Sequence, residues 1–418
     1  MIERDDKSKL QDLLKVLEIT RSLAAVMDLD SVFWLVIERS MELLDAERAS
    51  LFLYDSVHNE LVSRVAVGAS EIRMPAERGI VGETIRSGQT VNVPDAYADA
   101  RFNRDVDRRT GFRTRNILSV PLRDYEGSLV GVLQVLNKRS GPFNAYDITL
   151  AETLGAQAGV ALQRARLIEH YVEKQRMERA MKIAREIQQN LLPKENPEIP
   201  GFDVAGFSRA ADETGGDTYD FLALDDGRCM LVVADASGHG IGPALVIAET
   251  RAMLRAVGVG GCNVAHILNL VNNLLARDLG EARFVTCFLG MLDPRNGHLE
   301  YASAGHGPLL FYRRSEDRFT EVGATGLPFG VFEDAVFDNV SSFAFTPGDF
   351  AALTTDGIFE ASNAVGELFG LERMKLVLRR DRDLPSEQMI ANLHQAVIEF
   401  TGGAPQADDV TAVVVRRK

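Results

Sequence analysis

Apolar residues recur at helical spacing between charged ones from Ser8 to Met27, at Leu10, Leu13, Leu14, Leu17 and Ile19, and "SVFWLVIERSMELLDA" repeats the pattern. Two amphipathic helices therefore open the chain. The period then shortens to that of strands in "ERASLFLYD" and "ELVSRVAVG", which are separated by the turn-forming "SVHN". Further strands are predicted at "TVNVPD", "NILSVPLRD" and "SLVGVLQVLNKR", the last two split by the turn "YEGS". A mixed α/β domain closes around Lys138.

From Asn144 to Pro197 no proline occurs before Pro193 and only two glycines interrupt the pattern. The stretch predicts one helix of roughly 48 residues, about 70 Å long at the usual rise. Leu154, Ala158, Ala161, Ala165, Ile168 and Val172 follow a 4-3 spacing, and Met177, Met181, Ala184 and Leu191 resume it in another phase. Such a break fits a parallel dimer helix whose register can shift, or a helix whose two halves pack on the flanking domains.

After the proline-rich "PKENPEIPG", strands are predicted near Met230–Ala234, Phe284–Leu292, Leu299–Ala302, Leu309–Tyr312, Phe350–Thr354 and Val410–Val415. Helices are predicted near Pro243–Val257, Val264–Leu279 and Ser386–Phe400. Strand neighbours without a βαβ rhythm point to mainly antiparallel sheets flanked by helices. The expected division is an N-terminal helix at 1–29, a first domain at 30–163, a helical coiled-coil linker at 164–196 and a second domain at 197–418.

Composition narrows the partners. At 418 residues and 46% hydrophobic content the chain has enough material for two cores. A formal net charge of −14 argues against nucleic acid or an anionic membrane. The three cysteines, Cys229, Cys262 and Cys287, match neither a zinc site nor a disulfide framework, which fits a reducing cytoplasm. The acidic start "MIERDDKSKL" is not a signal peptide, and no apolar run approaches the roughly 20 residues that span a bilayer. A soluble cytoplasmic protein is expected, with no kinase domain fused after Lys418.

The chemistry centres on "VVADASGHGIGPAL", Val232–Leu245. Ser237 and His239 invite a hydrolase reading, yet "ASGHG" is not the G-x-S-x-G elbow. A dinucleotide loop fails because Pro243 stands where glycine is needed. A hard divalent ion demands several acids in similar settings, and they recur. Asp217 follows "TGG", Asp235 ends "LVVAD", Asp356 ends "FAALTTD", and Asp408 opens "DDVTAVVV". Each alone is an ordinary turn or cap acid; together they suggest a metal centre. Oxygen-only ligands favour Mg²⁺ or Mn²⁺ over zinc.

"TGGDTYD", "VVADASGHGIGPALVIA", "YASAGHGPLLF", "TTDGIFEA" and "DDVTAVVV", in that order between Phe202 and Arg416, resemble the metal-dependent PPM (type 2C) Ser/Thr protein phosphatases, in their SpoIIE/RsbU-like branch. The resemblance implies an αββα sandwich with two Mn²⁺ or Mg²⁺ ions between its sheets. It implies that Asp235 bridges both ions and that the Ala236 carbonyl takes the place of a glycine carbonyl. Asp356 and Asp408 would hold the other ion, with Asp217 reaching the first directly or through water. His239 is expected as a general acid or a loop-stabilising group. His306 is expected to shape its turn, where Ser303 replaces the family's usual Asn. Asp409 and Glu360 are expected as supporting acids, extra ligands or simple turn residues.

Asp30–Gln163 resembles a GAF sensor domain through "GIVGETIRSGQTVNVPD", "NILSVPLRD" and "GVLQVLNK". "NKRSGPFNAYD" also resembles the pattern of cyclic-nucleotide phosphodiesterase GAF domains at Asn137, Lys138, Phe143 and Asp147, with Ile148 in place of the final acid. In that family the Lys/Asp pair is structural. Asp95–Asn116, charge-mixed and turn-rich, reads as a lid or a solvated loop.

The implied whole is an α/β protein: a GAF domain joined by a long coiled-coil helix to a PPM sandwich, dimeric, dephosphorylating a phosphoserine or phosphothreonine protein. By resemblance that substrate is a STAS-domain anti-sigma-factor antagonist, with a small-molecule ligand as a further candidate partner of the GAF domain. A catalytically silent ligand-sensing scaffold and a cyclic-nucleotide receptor are the alternatives.

Overall fold

The two opening amphipathic patterns form helices α1 (Ile2–Ala25) and α2 (Leu29–Leu43) in a computed structural model that describes residues 2–63, 72–280 and 283–418. Asp28 caps α2 by accepting from the Ser31 amide at 2.8 Å. Helix α1 carries two apolar stripes. Val16, Ile19 and Leu23 enter the core, whereas Leu10, Leu13, Leu14 and Leu17 stay more than half exposed.

The chain divides into two units, Met1–Arg176 and Met177–Lys418. In the first, strands β1 (Ala46–Asp55), β2 (Glu60–Ser63) and β3 (Ile72–Pro75) lead to helix α3 (Gly79–Ser87). Strand β4 (Val91–Val93), helix α4 (Arg104–Thr110), and strands β5 (Ile117–Arg123) and β6 (Leu129–Lys138) follow. The strands form one antiparallel sheet in the order β3-β2-β1-β6-β5-β4. Part of the predicted "ELVSRVAVG" strand, residues 64–68, lies outside the described residues.

Asp95–Asn116 is neither a plain loop nor a lid of unformed structure. It contains a 3₁₀ turn and α4, folded around the buried Asp107, which accepts from the Thr114 amide, the Thr114 hydroxyl and the Tyr97 hydroxyl at 2.7, 2.8 and 3.1 Å.

Helix α5 runs Ala145–Leu191, 47 residues, close to the predicted span. Its first seam is no free coiled-coil face: Leu154, Ala158, Ala161 and Ala165 are buried in the first unit's core with α1, α2 and the sheet. Small residues there let the helix lie close to the strands. Further along, Leu167, Tyr171, Val172, Met177, Ile183 and Ile187 are exposed.

The second unit begins its sheets with β7 (Phe202–Arg209), β8 (Asp217–Ala223) and β9 (Cys229–Ala236), then helices α6 (Ile241–Gly258) and α7 (Val264–Asp278). Strands β10 (Val285–Asp293), β11 (His298–Ala304), β12 (Leu309–Arg313), β13 (Arg318–Val322), β14 (Ser341–Ala344) and β15 (Phe350–Thr354) follow. Helices α8 (Asp356–Phe359), α9 (Gly370–Arg380) and α10 (Ser386–Thr401) precede the last strand, β16 (Val410–Arg417). The α9 helix was not anticipated; its strongly charged sequence hides Met374 and Leu378, the two residues it buries.

Two antiparallel five-stranded sheets result, β14-β11-β10-β9-β8 and β13-β12-β15-β16-β7. Strand alternation assigns their faces. In β9, Leu231 and Val233 meet Phe288, Leu353 and Val413 between the sheets, while Met230, Val232 and Ala234 meet α6 and α7. Ala352 and Val414 likewise turn outward to α9 and α10. The layers are helix, sheet, sheet, helix: the expected αββα sandwich.

Candidate metal centre

The same alternation that buries Leu231 and Val233 between the sheets carries Asp235 onto that face at the end of β9. Tyr219 and Phe221 set the same parity for Asp217 on β8, and Val413 and Val415 set it for Thr411 in β16 and for Asp409 just before that strand. Asp217 and Asp235 are direct register partners across β8 and β9. Asp356 opens α8 one residue beyond the end of β15, and Asp408 immediately precedes Asp409. Four separate strand ends thus bring the predicted acids to one end of the sandwich.

Their electrostatics show the proximity. Burial, followed by the charges of Asp356, Asp408 and Asp409, pushes the Asp235 carboxyl up to about 7. Burial and then the Asp235 charge hold Asp217 well above the usual carboxylate range. Burial and then Asp408 raise Asp356, with Glu360 adding to the effect. Like charges in a low-dielectric setting resist ionisation together, and a cation relieves that.

The backbone around the acids is tightly held. Thr355 donates its hydroxyl to Asp217 Oδ2 at 2.7 Å and accepts from the Thr411 amide at 3.0 Å. Asp409 accepts from the amides of Ala211, Gly216 and Asp217 at 2.8, 2.5 and 3.3 Å, so this acid clamps the glycine turn ahead of Asp217. Two glycines are required for contact. A Cβ on Gly216 would stand 2.6 Å from the Ala236 carbonyl oxygen, and one on Gly357 would stand 1.9 Å from the Asp409 carbonyl oxygen.

The donor set of Asp217, Asp235, Asp356, Asp408 and the Ala236 carbonyl fits a hard divalent cation in chemistry and in mutual repulsion. Among the described residues, no three His, Cys, Asp or Glu side chains stand close enough together to form a ready-made cage.

The other candidates have these surroundings. The His239 side chain is 81% exposed and its Nδ1 faces Asp212 Oδ2 at 3.2 Å. Ser237 Oγ accepts from the Phe284 amide at 3.1 Å, a loop-joining role. Ser303 donates its hydroxyl to the His306 carbonyl. His306 is buried, its Nδ1 lies 3.1 Å from Thr286 Oγ1, and burial lowers it to about 4. Glu360 is exposed. In the first unit Lys138 pairs with Asp147, which also accepts from the Asn144 amide at 2.7 Å, and Asn137 bonds Glu47 and the backbone of Arg113 and Arg115. Those residues are occupied in holding the domain together.

Sequence reasoning missed Gln188, whose amide grips Gly215, and the threonines Thr355 and Thr411. The repeated threonine beside an acid in "TTD" and "DVT" was the available signal for the latter; a glutamine on a helical repeat gives none.

Residues 225–418 match the family model of Stage II sporulation protein E (SpoIIE), and residues 28–162 match the GAF domain. Asp217 lies ahead of the matched span. Phosphoserine phosphatase RsbU of Bacillus subtilis is 25% identical over 276 residues, covering 66% of this chain and 80% of that protein. Probable 3',5'-cyclic phosphodiesterase pde-5 of Caenorhabditis elegans is 34% identical over 194 residues, 43% of this chain. Protein IcfG of Synechocystis sp. is 28% identical over 260 residues, 56% of this chain. The chain spans only 26% of pde-5 and 40% of IcfG. Among solved structures, the SiaA-PP2C domain of Pseudomonas aeruginosa aligns with a TM-score of 0.53 at 23% identity, covering 59% of this chain and 99% of that domain, a likeness of fold.

Proposed function

We propose that this chain, a GAF domain followed by a PP2C-type SpoIIE domain, is a divalent-metal-dependent protein serine/threonine phosphatase. The observation that carries the reading is the gathering of Asp217, Asp235, Asp356 and Asp408 at one end of the sandwich, where burial and mutual repulsion raise the first three. In this reading Asp217, Asp235, the Ala236 carbonyl, Asp356 and Asp408 hold two Mn²⁺ or Mg²⁺ ions. Such ions, when bound, supply positive charge that acidifies a water and offsets charge on a phosphoryl group. Thr355 orients Asp217, and Asp409 fixes the turn that presents it.

The likeness to phosphoserine phosphatase RsbU supports a phosphoserine or phosphothreonine protein as substrate. The motif resemblance to the SpoIIE/RsbU branch supports a STAS-domain anti-sigma-factor antagonist in partner switching. A homodimer belongs to the proposal, supported by the exposed leucine stripe of α1 and the exposed apolar residues of α5 between Leu167 and Ile187. Control by the GAF domain, with or without a small-molecule ligand, would pass along α5. No described helix is long and apolar enough to cross a membrane.

The test is phosphate release from para-nitrophenyl phosphate and from a phosphoserine peptide. Activity that requires Mn²⁺ or Mg²⁺ and is lost in Asp235→Asn supports the reading. Metal-independent turnover, or turnover unchanged in that variant, rejects it.

A further inference from the structure

A cavity of about 490 Å³ lies against the acid cluster, on the side of α8 and α10. Asp408 and Gly357, the residue that follows Asp356, are among its lining residues, so the cavity adjoins the two acids that the proposed centre takes from this side of the fold. Its lining is mixed: Val397, Ile398, Ala404, Pro405 and Val410 supply apolar surface, and Glu360, Ser362 and Thr401 supply polar groups. The volume is in the range of specific ligand pockets rather than of packing gaps.

The wall is built. Gln406 donates its side-chain amide to the carbonyls of Arg209 and Asp408 at 3.0 and 2.8 Å, tying the loop after α10 to β7 and to the acid cluster. His394, its ring tilted against Phe207 with centroids 4.9 Å apart, and Arg209 also line the cavity. Among the described residues no carboxylate pairs with Arg209, which leaves its guanidinium free to meet backbone carbonyls or an acidic group of an arriving chain.

We infer that this cavity receives an apolar side chain of the phosphoprotein substrate, one to three residues from the phosphorylated residue. The inference rests on the phosphatase reading and deepens it. An extended chain rises about 3.3 Å per residue, so a phosphoryl group at the acids leaves a neighbouring side chain within reach of a pocket that shares Asp408 and Gly357 with them. Polar groups line part of the cavity, but the side chains of Val397, Ile398, Ala404, Pro405 and Val410 can bury an apolar side chain and offer it no hydrogen bond, and the apolar surface removed from water favours its entry. The pocket gives the enzyme sequence preference that the acids alone lack.

The experiment compares phosphoserine dodecapeptides that differ only in carrying leucine or asparagine at the positions flanking phosphoserine. The wild-type protein with Mn²⁺ is expected to favour the leucine peptides at least tenfold in kcat/KM. Ala404→Trp, which fills the cavity from an exposed position, and Ile398→Asp, which charges its wall, are expected to bring that ratio close to one. Val365→Asp, exposed and away from the cavity, keeps the ratio. Because the ratio is internal to each protein, general losses of activity cancel. A wild-type ratio near one, or a ratio untouched in both cavity variants, overturns the inference. Wild-type protein that turns over neither para-nitrophenyl phosphate nor any peptide instead removes the phosphatase reading on which it stands.

Discussion

Gln188 on α5 holds Gly215 by both ends of its side-chain amide: Nε2 donates to the Gly215 carbonyl at 2.5 Å, and Oε1 accepts from the Gly215 amide at 3.0 Å. Gly215 is two residues from Asp217, and Asp409 grips the same turn from the other side. The connector helix therefore touches the turn that presents one of the proposed ligands.

Removing this grip should misplace Asp217 more than it unfolds the domain. Gln188→Ala loses two hydrogen bonds, each of about 1 kcal/mol net. We expect kcat on para-nitrophenyl phosphate to fall about tenfold, with the melting temperature changed by only a few degrees. Unchanged kcat would show that the turn is held by Asp409 alone.

Register changes in α5 should act through the same contact. Inserting residues between Val172 and Met177 is expected to change basal turnover several-fold while leaving the Mn²⁺ requirement in place. In a Gln188→Ala background the insertion should have little further effect, which a double-mutant cycle reads directly. Equal turnover across insertions would make the helix a passive tether.

The acid cluster should limit the stability of the metal-free protein. Asp235 titrates near 7 when folded and near 4 when unfolded, so between those values the folded state binds the extra proton and stability falls as pH rises. Metal-free Asp235→Asn should therefore melt higher than wild type at pH 8, with the gap closing towards pH 5. Adding Mn²⁺ should raise the wild-type midpoint and not that of the variant. A variant that melts lower than wild type at pH 8 would contradict the repulsion.

His306 should act in the opposite sense. Its folded value of about 4 is below the ordinary 6.5, so the unfolded state binds the proton first and stability is lost as pH falls below 6.5. Relative to His306→Gln, wild type should lose roughly 1 kcal/mol between pH 7.5 and 5.5. Parallel pH profiles for the two proteins in denaturant titrations would remove this assignment.

Gly357 should tolerate no side chain. A Cβ there would meet the Asp409 carbonyl oxygen at 1.9 Å, a backbone atom that can only move with β16. Gly357→Ala is expected to cost about 1–3 kcal/mol of stability and most of the activity. A variant as stable and active as wild type would mean that α8 and β16 separate easily.

Much of this was legible along the chain. The long helix was bounded nearly to the residue because no proline interrupts it, and most strands were found by period, whereas strands such as β3, β8, β13 and β14 were not. Asp217, Asp235, Asp356 and Asp408 were singled out because each stands at a strand end beside glycine, threonine or a second acid. The α1 helix was legible as amphipathic, but its Leu10–Leu17 stripe was not the one the core took. Either stripe satisfied the same spacing, and only packing against α2 and α5 chose Val16, Ile19 and Leu23.

By itself the sequence determined periodicity, the order of elements and the identity of the acids, because these depend on neighbours a few residues apart. Only the tertiary structure decided that Asp235 opposes Asp217, that Asp409 clamps a turn while His239 faces Asp212, and that the first seam of α5 is spent inside its own domain. Each of those depends on pairing between strands or helices far apart in the chain. Local spacing fixes which face a residue occupies, but not what stands opposite it.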